Sequence, residues 1–218
     1  MCKLPIKKKK CIMFKALSGM SPSAPCVFVF SSCYLCGLIP CKVEHEDFEL
    51  DDFKKETKKC FQKMIKIKNN RFLVVDEEGL KFKERNKEQC KADDCRFNIQ
   101  VYRNNDIDRP RGSAVILSVT SPCKQTYMVC CEKNGDQKAV SAKPLEQPLP
   151  DQIGSSKHEA VFFMELIPGT SQYRFNSSLW CSWYLSFEDG PEAALMKLVL
   201  RKVHKDVDEN CSMDLLTC

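Results

Sequence analysis

Three histidines, fifteen cysteines and one dense run of carboxylates are the side chains of this 218-residue chain that could do chemistry. General acid–base or nucleophilic catalysis needs a base within reach of a nucleophile or a substrate proton. His45 sits in the acidic run, while His158 and His204 flank expected strands, so all three read as solvated or structural. No GxxxxGK[ST], GxGxxG or GxSxG stretch occurs, which removes support for phosphate cradling and for an esterase elbow. Cys33 and Cys36 have the CxxC spacing of zinc and redox centres, but neither Cys90 with Cys95 nor Cys130 with Cys131 supplies a matching second pair. The expectation is no enzyme, no metal and no cofactor. An odd, irregularly spaced set of cysteines in a chain able to bury a core reads as reduced thiols made in the cytosol.

The carboxylates occupy "EHEDFELDDF", residues 44–53, and are followed at once by the lysine-dense "KKETKKCFQKMIKIK". Before them lies "CVFVFSSCYLCGLIPC", residues 26–41, apolar and preceded by "KKKK" at 7–10, an order that also suits a secretory leader or signal anchor. Residues 1–52 carry a net charge of +1 and residues 53–218 a net of +4. That is too little to bind nucleic acid by charge alone. On composition, the acidic run is a solvated linker between an apolar appendage and a folded domain.

From residue 71 short apolar runs rich in β-branched and aromatic residues alternate with polar or Gly/Pro turns. Strands are predicted over 71–75, 96–102, 114–120, 126–131, 160–166, 182–187 and 196–203, with 62–68 readable as strand or helix. Turns are predicted at 76–79, 108–112, 133–136, 167–170 and 188–192, and 141–159 reads as a long surface loop. Many short strands with hardly a helical run predict an all-β sandwich or barrel that takes up the chain past residue 52.

"VFFMELIPGTSQYRFNSSLWCSWYLSFE" followed by "ALMKLVLRK" resembles the signature region of the interleukin-1 cytokine family. Its elements are a strand before Pro168-Gly169, then Phe175, Ser177 and Ser178, then Trp183, Tyr184 and Leu185, then Lys197 and Leu198. "RFNIQVYRNNDIDRPRGSAVILSV" and "RFLVVDEEGLKF" are similar to earlier stretches of the same family, so the resemblance covers about residues 53–218.

The resemblance implies a β-trefoil of twelve strands about a pseudo-three-fold axis at 53–218, with an irregular pro-segment at 1–52 that is removed on maturation. It implies a proinflammatory, monomeric ligand held in the cytosol as an inactive precursor. Cleavage by an inflammatory caspase would follow Asp52 or Asp51, and secretion would take an unconventional route. The partners implied are an immunoglobulin-like alpha chain, an accessory beta chain and a soluble decoy binding protein. Receptor contacts carried over by position are Arg103, Arg111 and Lys66, whose forked or ammonium charges suit carboxylates. Phe175, Ser177, Ser178, Trp183, Tyr184 and Leu185 are family signature residues with a structural role. Glu165 departs from the pattern, standing where mammalian members carry a basic contact. The alternatives are a trefoil ligand of the fibroblast growth factor type, or a membrane-anchored or leader-bearing protein with an all-β ectodomain.

Overall fold

The computed structural model describes residues 53–104, 112–190, 195–204 and 208–217. They form thirteen strands: β1 (Phe53–Ile67), β2 (Arg71–Asp76), β3 (Gly79–Glu84), β4 (Phe97–Asn104), β5 (Ser113–Thr120), β6 (Thr126–Asn134), β7 (Gln137–Pro144), β8 (Gln152–Ile153), β9 (Val161–Leu166), β10 (Tyr173–Ser177), β11 (Trp183–Asp189), β12 (Met196–Lys202) and β13 (Asp214–Thr217). Three short 3-10 turns are the only helical elements among the described residues.

All the strand pairs are antiparallel, and the hydrogen-bonded neighbours β1, β4, β5, β9, β10, β11, β12, β3 and β2 lead back to β1. The sheet is therefore closed, which leaves no unpaired edge around the barrel. β6 and β7 form a hairpin on β5, while β13 and β8 pair with β1. The fold is a β-trefoil, with the two-residue β8 making one strand more than the twelve expected.

Side-chain alternation explains the core. Val115, Leu117 and Val119 of β5 point into the barrel with Ile99, Val101, Phe162, Phe175, Leu185 and Phe187. The alternate residues Ala114 and Ile116 point the other way, into a second buried cluster with Phe53, Tyr102, Ile153 and Phe163. Strands β4, β5 and β9 are thus buried on both faces. The covering material is the predicted surface loop. Residues 141–144 belong to β7, Ile153 is buried in β8, and Leu149 packs on the second cluster.

Polar anchors hold that cover down. The Tyr102 hydroxyl donates to the Pro150 carbonyl at 2.8 Å, and the Lys55 ammonium donates to the Leu149 carbonyl at 3.0 Å. The Lys55 amide donates to the Asp151 carbonyl at 2.8 Å. Burial pushes the Tyr102 phenol up to about 12. Burying a large apolar side chain contributes about 1.5–3 kcal/mol, so a covering segment that buries Ile153 and half-buries Leu149 has reason to stay down.

The Lys-rich start was the least legible strand. β1 runs fifteen residues, far beyond the predicted 62–68, because it has neighbours on both sides: β4 pairs with residues 53–55 and 60–63, β13 with 63–66. Between Lys55↔Tyr102 and Cys60↔Gln100 the register slips, so the Glu56–Lys59 stretch bulges from the ladder. The buried Gln100 amide closes the gap by donating to the Glu56 carbonyl at 2.9 Å, the Lys59 carbonyl at 3.4 Å and the Val101 carbonyl at 3.1 Å. The Glu56 and Lys59 carbonyls lie in the bulge, where the β1–β4 ladder is interrupted.

Candidate functional site

Arg103 lies near the end of β4, opposite Lys54 of β1. Its Nε donates to Glu56 Oε1 at 3.0 Å, with the arginine side chain 69% exposed and the glutamate 22%. The bulge thus supplies the carboxylate that orients Arg103 while leaving most of the guanidinium in solvent. It also turns Thr57, Lys58 and Lys59 outward. An ion pair this exposed adds little stability, so its effect is to aim the side chain rather than to hold the fold.

Lys66 lies elsewhere on the same strand. Its ammonium is 3.9 Å from Asp214 Oδ2, opposite it on β13, and both side chains are about a quarter exposed. Around it an open depression is lined by Lys68, Asn69, Asn70, Gln172 and Phe187. Lys68 sits above the Phe187 ring, 5.6 Å from its centroid. Lys66 and Arg103 therefore stand in separate neighbourhoods, one against β13 and one against the Glu56–Lys59 bulge.

Arg111, Asp51 and Asp52 lie outside the described residues, as does His45. Gly112, which follows Arg111, and Phe53, which follows Asp52, are described. Gly112 has φ +83°, and a Cβ there would meet the Met164 carbonyl oxygen and the Glu165 side chain, so the chain re-enters β5 pressed against β9. Phe53 is fully buried, 6.1 Å from the Phe163 ring, and pairs with Asn104 and Ile153.

The family signature residues sit in and around the barrel. Phe175 and Leu185 are fully buried, and Ser177 and Ser178 nearly so. Ser178 Oγ accepts from the His158 amide at 3.0 Å and donates to the His158 carbonyl at 2.8 Å. Ser177 Oγ accepts from the Trp180 amide at 3.2 Å. Trp183 is half-buried and packs on the core, with the Lys138 ammonium 4.1 Å from its ring centroid. Glu165 is turned inward: Arg174 Nε donates to it at 2.7 Å, and the same guanidinium lies 5.1 Å from the Tyr184 ring centroid. The acidic residue at this position is therefore engaged within the domain.

The thiols and histidines form no reactive centre among the described residues. Cys60, Cys95, Cys123, Cys130, Cys131, Cys181 and Cys211 are free, and among the described residues no His/Cys/Asp/Glu group is placed to hold a metal ion. Burial pushes the Cys130 thiol up to about 12 and Cys95 and Cys131 to about 11, so these stay protonated and inert. His158 is held below its ordinary value by burial, and its Nδ1 accepts from the Ala160 amide at 3.1 Å. It is a structural acceptor. His204 is exposed.

Sequence reasoning missed Glu56, Gln100 and Asp214, the residues that orient or frame the candidate cations. Gln100 had a signal, an amide inside the otherwise apolar run "IQVY". Glu56 and Asp214 had none, because their partners are distant in sequence.

No protein-family profile matches the chain. It is 29% identical to human interleukin-18 over 163 residues, covering 73% of this chain and 77% of that protein. It is 26% identical to rat interleukin-18 over 211 residues, covering 91% and 97%. Chicken interleukin-1 beta has a similar structure, with a TM-score of 0.53 at 15% identity over 75% of this chain and 98 to 99% of its own length, a likeness that speaks for the fold alone. In trefoil fold and motif order the chain is similar to cytokines of the interleukin-1 family, and in sequence it is similar to interleukin-18. These relatives are cytokines, ligands whose chemistry is that of a binding surface and not of an active site.

Proposed function

We propose that the chain is the precursor of a proinflammatory cytokine that signals by assembling the interleukin-18 receptor alpha and beta chains. Residues 1–52 form the pro-segment and 53–218 the active ligand. An inflammatory caspase cuts after Asp52, or after Asp51 with Phe48 as the bulky residue of "FELD". The precursor is cytoplasmic and the mature form is secreted by an unconventional route, where a soluble decoy binding protein can compete for it.

The observation that carries this reading is the position of Phe53. β1 begins at this buried residue, directly after the two aspartates, so a cut after Asp52 leaves the whole first strand with the barrel. On the mature ligand, Arg103 is oriented by Glu56 yet mostly solvated, which suits a forked bond to a receptor carboxylate. Arg111 and Lys66 are the companion candidates.

Incubating the purified full chain with an inflammatory caspase and sequencing the new N-terminus tests the processing step. A product starting at residue 52 or 53 supports it; loss of that product in the double variant Asp51→Ala, Asp52→Ala is also expected. Continued release of a shortened active form from the double variant contradicts it. A product trimmed near residues 35–41 in cells instead supports a leader, and membrane retention without release an anchor.

A further inference from the structure

Two Asn-x-Ser sequons occur in the chain, Asn176-Ser177-Ser178 and Asn210-Cys211-Ser212. Such a triplet is an acceptor for N-linked oligosaccharide and belongs on an accessible surface when it is used. The first is nowhere near one. Asn176 is 7% exposed, Ser177 2% and Ser178 5%. Asn176 sits in β10 between Phe163 of β9 and Tyr184 of β11, and its side-chain carbonyl is buried with no hydrogen-bond partner. The two serines are spent on internal bonds, Ser177 to Trp180 and Ser178 to both backbone groups of His158. A sugar on Asn176 would have to occupy space filled by three paired strands, and interiors packed at crystal density have no such room.

N-glycosylation acts on nascent, unfolded chain in the lumen of the endoplasmic reticulum, before burial can protect the acceptor. There the Asn176 amide nitrogen would attack the anomeric carbon of a polyprenyl-diphosphate-linked oligosaccharide. A C–N bond forms, the C–O bond to the diphosphate breaks, and the amide loses one proton as the lipid diphosphate leaves. We propose that Asn176-Ser177-Ser178 is a latent glycosylation site whose modification and the folding of the trefoil exclude one another, so that the active ligand can be made only outside that lumen. The second sequon differs: Asn210 is half-buried in a short turn, which uses its amide and carbonyl but leaves the strand ladder intact.

The inference bears on the export route proposed above and is independent of the receptor assignment, because its test reads glycan and fold without any receptor. The full chain carrying a cleavable secretory leader is expressed in cultured animal cells as Ser212→Ala, which leaves Asn176 as the single sequon. Only chains whose leader has been removed, and which have therefore entered the lumen, are scored. The expected result is an endoglycosidase-sensitive mass shift together with intracellular retention and protease sensitivity. Adding Ser178→Ala abolishes the shift and restores a secreted, protease-resistant domain, whereas adding Ser178→Thr keeps the sequon and the defect. Tunicamycin gives the same rescue with Ser178 in place, so a folding cost of the alanine does not obscure the result. Secretion of a protease-resistant domain bearing a glycan on Asn176 overturns the proposal, as does leader-cleaved Ser212→Ala that is unmodified and folds, or failure of tunicamycin to restore folding.

Discussion

β10 and β11 bury Phe175, Leu185, Ser177 and Ser178 among the barrel core, while the edge formed by β1 and the end of β4 holds Lys54, Lys58, Lys59 and Arg103 in solvent. In the first region every change alters packing or strands a hydrogen-bonding group. In the second, side chains touch little, and one carboxylate, Glu56, orients one arginine. The buried region is fixed by the fold, whereas the exposed side chains of β1 and β4 carry few packing constraints and are free to suit a partner.

That contrast can be broken or sharpened by mutation. Phe175→Ala removes a fully buried ring from the barrel and should lower unfolding free energy by about 3–5 kcal/mol, read from chemical denaturation of the domain. A loss near that of a surface change would mean that the signature strand is not the core it looks to be. Gln100→Ala comes next, since it strands the Glu56 and Lys59 carbonyls under the bulge. A loss of about 1–3 kcal/mol is expected, with faster amide hydrogen exchange around residues 56–59 than in the barrel.

The His158 link between the covering segment and β10 predicts a smaller, pH-dependent effect. Burial holds the folded imidazole below 6.5, opposed by Glu159 and assisted by Lys143. Above that value the ring is neutral in both states and Nδ1 keeps the Ala160 bond. As pH falls below 6.5 the unfolded chain takes up the proton first, so stability falls until the folded group also protonates. Denaturation midpoints across pH 5–8 should show this decline in the wild type and lose part of it in His158→Gln. Arg103→Ala should have the smallest effect on stability, within about 0.5–1 kcal/mol, yet weaken alpha-chain binding about tenfold or more by surface plasmon resonance. Unchanged affinity would remove Arg103 from the contact set.

The same division explains what was legible in the sequence. Strands such as "AVILSVT" and "VFFMEL" could be read because burial on both faces demands unbroken apolar runs, and the motif Phe175 to Leu185 could be read because packing ties its residue types to their spacing. β1 was mostly illegible: its lysines face solvent, and its strand character comes from β4 and β13, distant in sequence. β8 and the second cluster were hidden for a related reason. Ile153 and Leu149 are isolated apolar residues in a Pro-rich stretch, and only the shape of the barrel shows that they cover Tyr102 and Ile116. Of the candidate site, the cations could be named from the resemblance, but Glu56 and Asp214 could be found only in three dimensions.

In the proposed function, cleavage after the acidic run converts an inert chain into a ligand for two receptor chains at once. Dose–response of cells displaying both the alpha and beta chains, compared with cells displaying either alone, tests it most directly. The form beginning at Phe53 should trigger signalling only where both chains are present, with the full chain and its uncleavable Asp51→Ala, Asp52→Ala variant silent. Equal signalling by the uncut chain, or by the cut form on cells with one receptor chain, would contradict it.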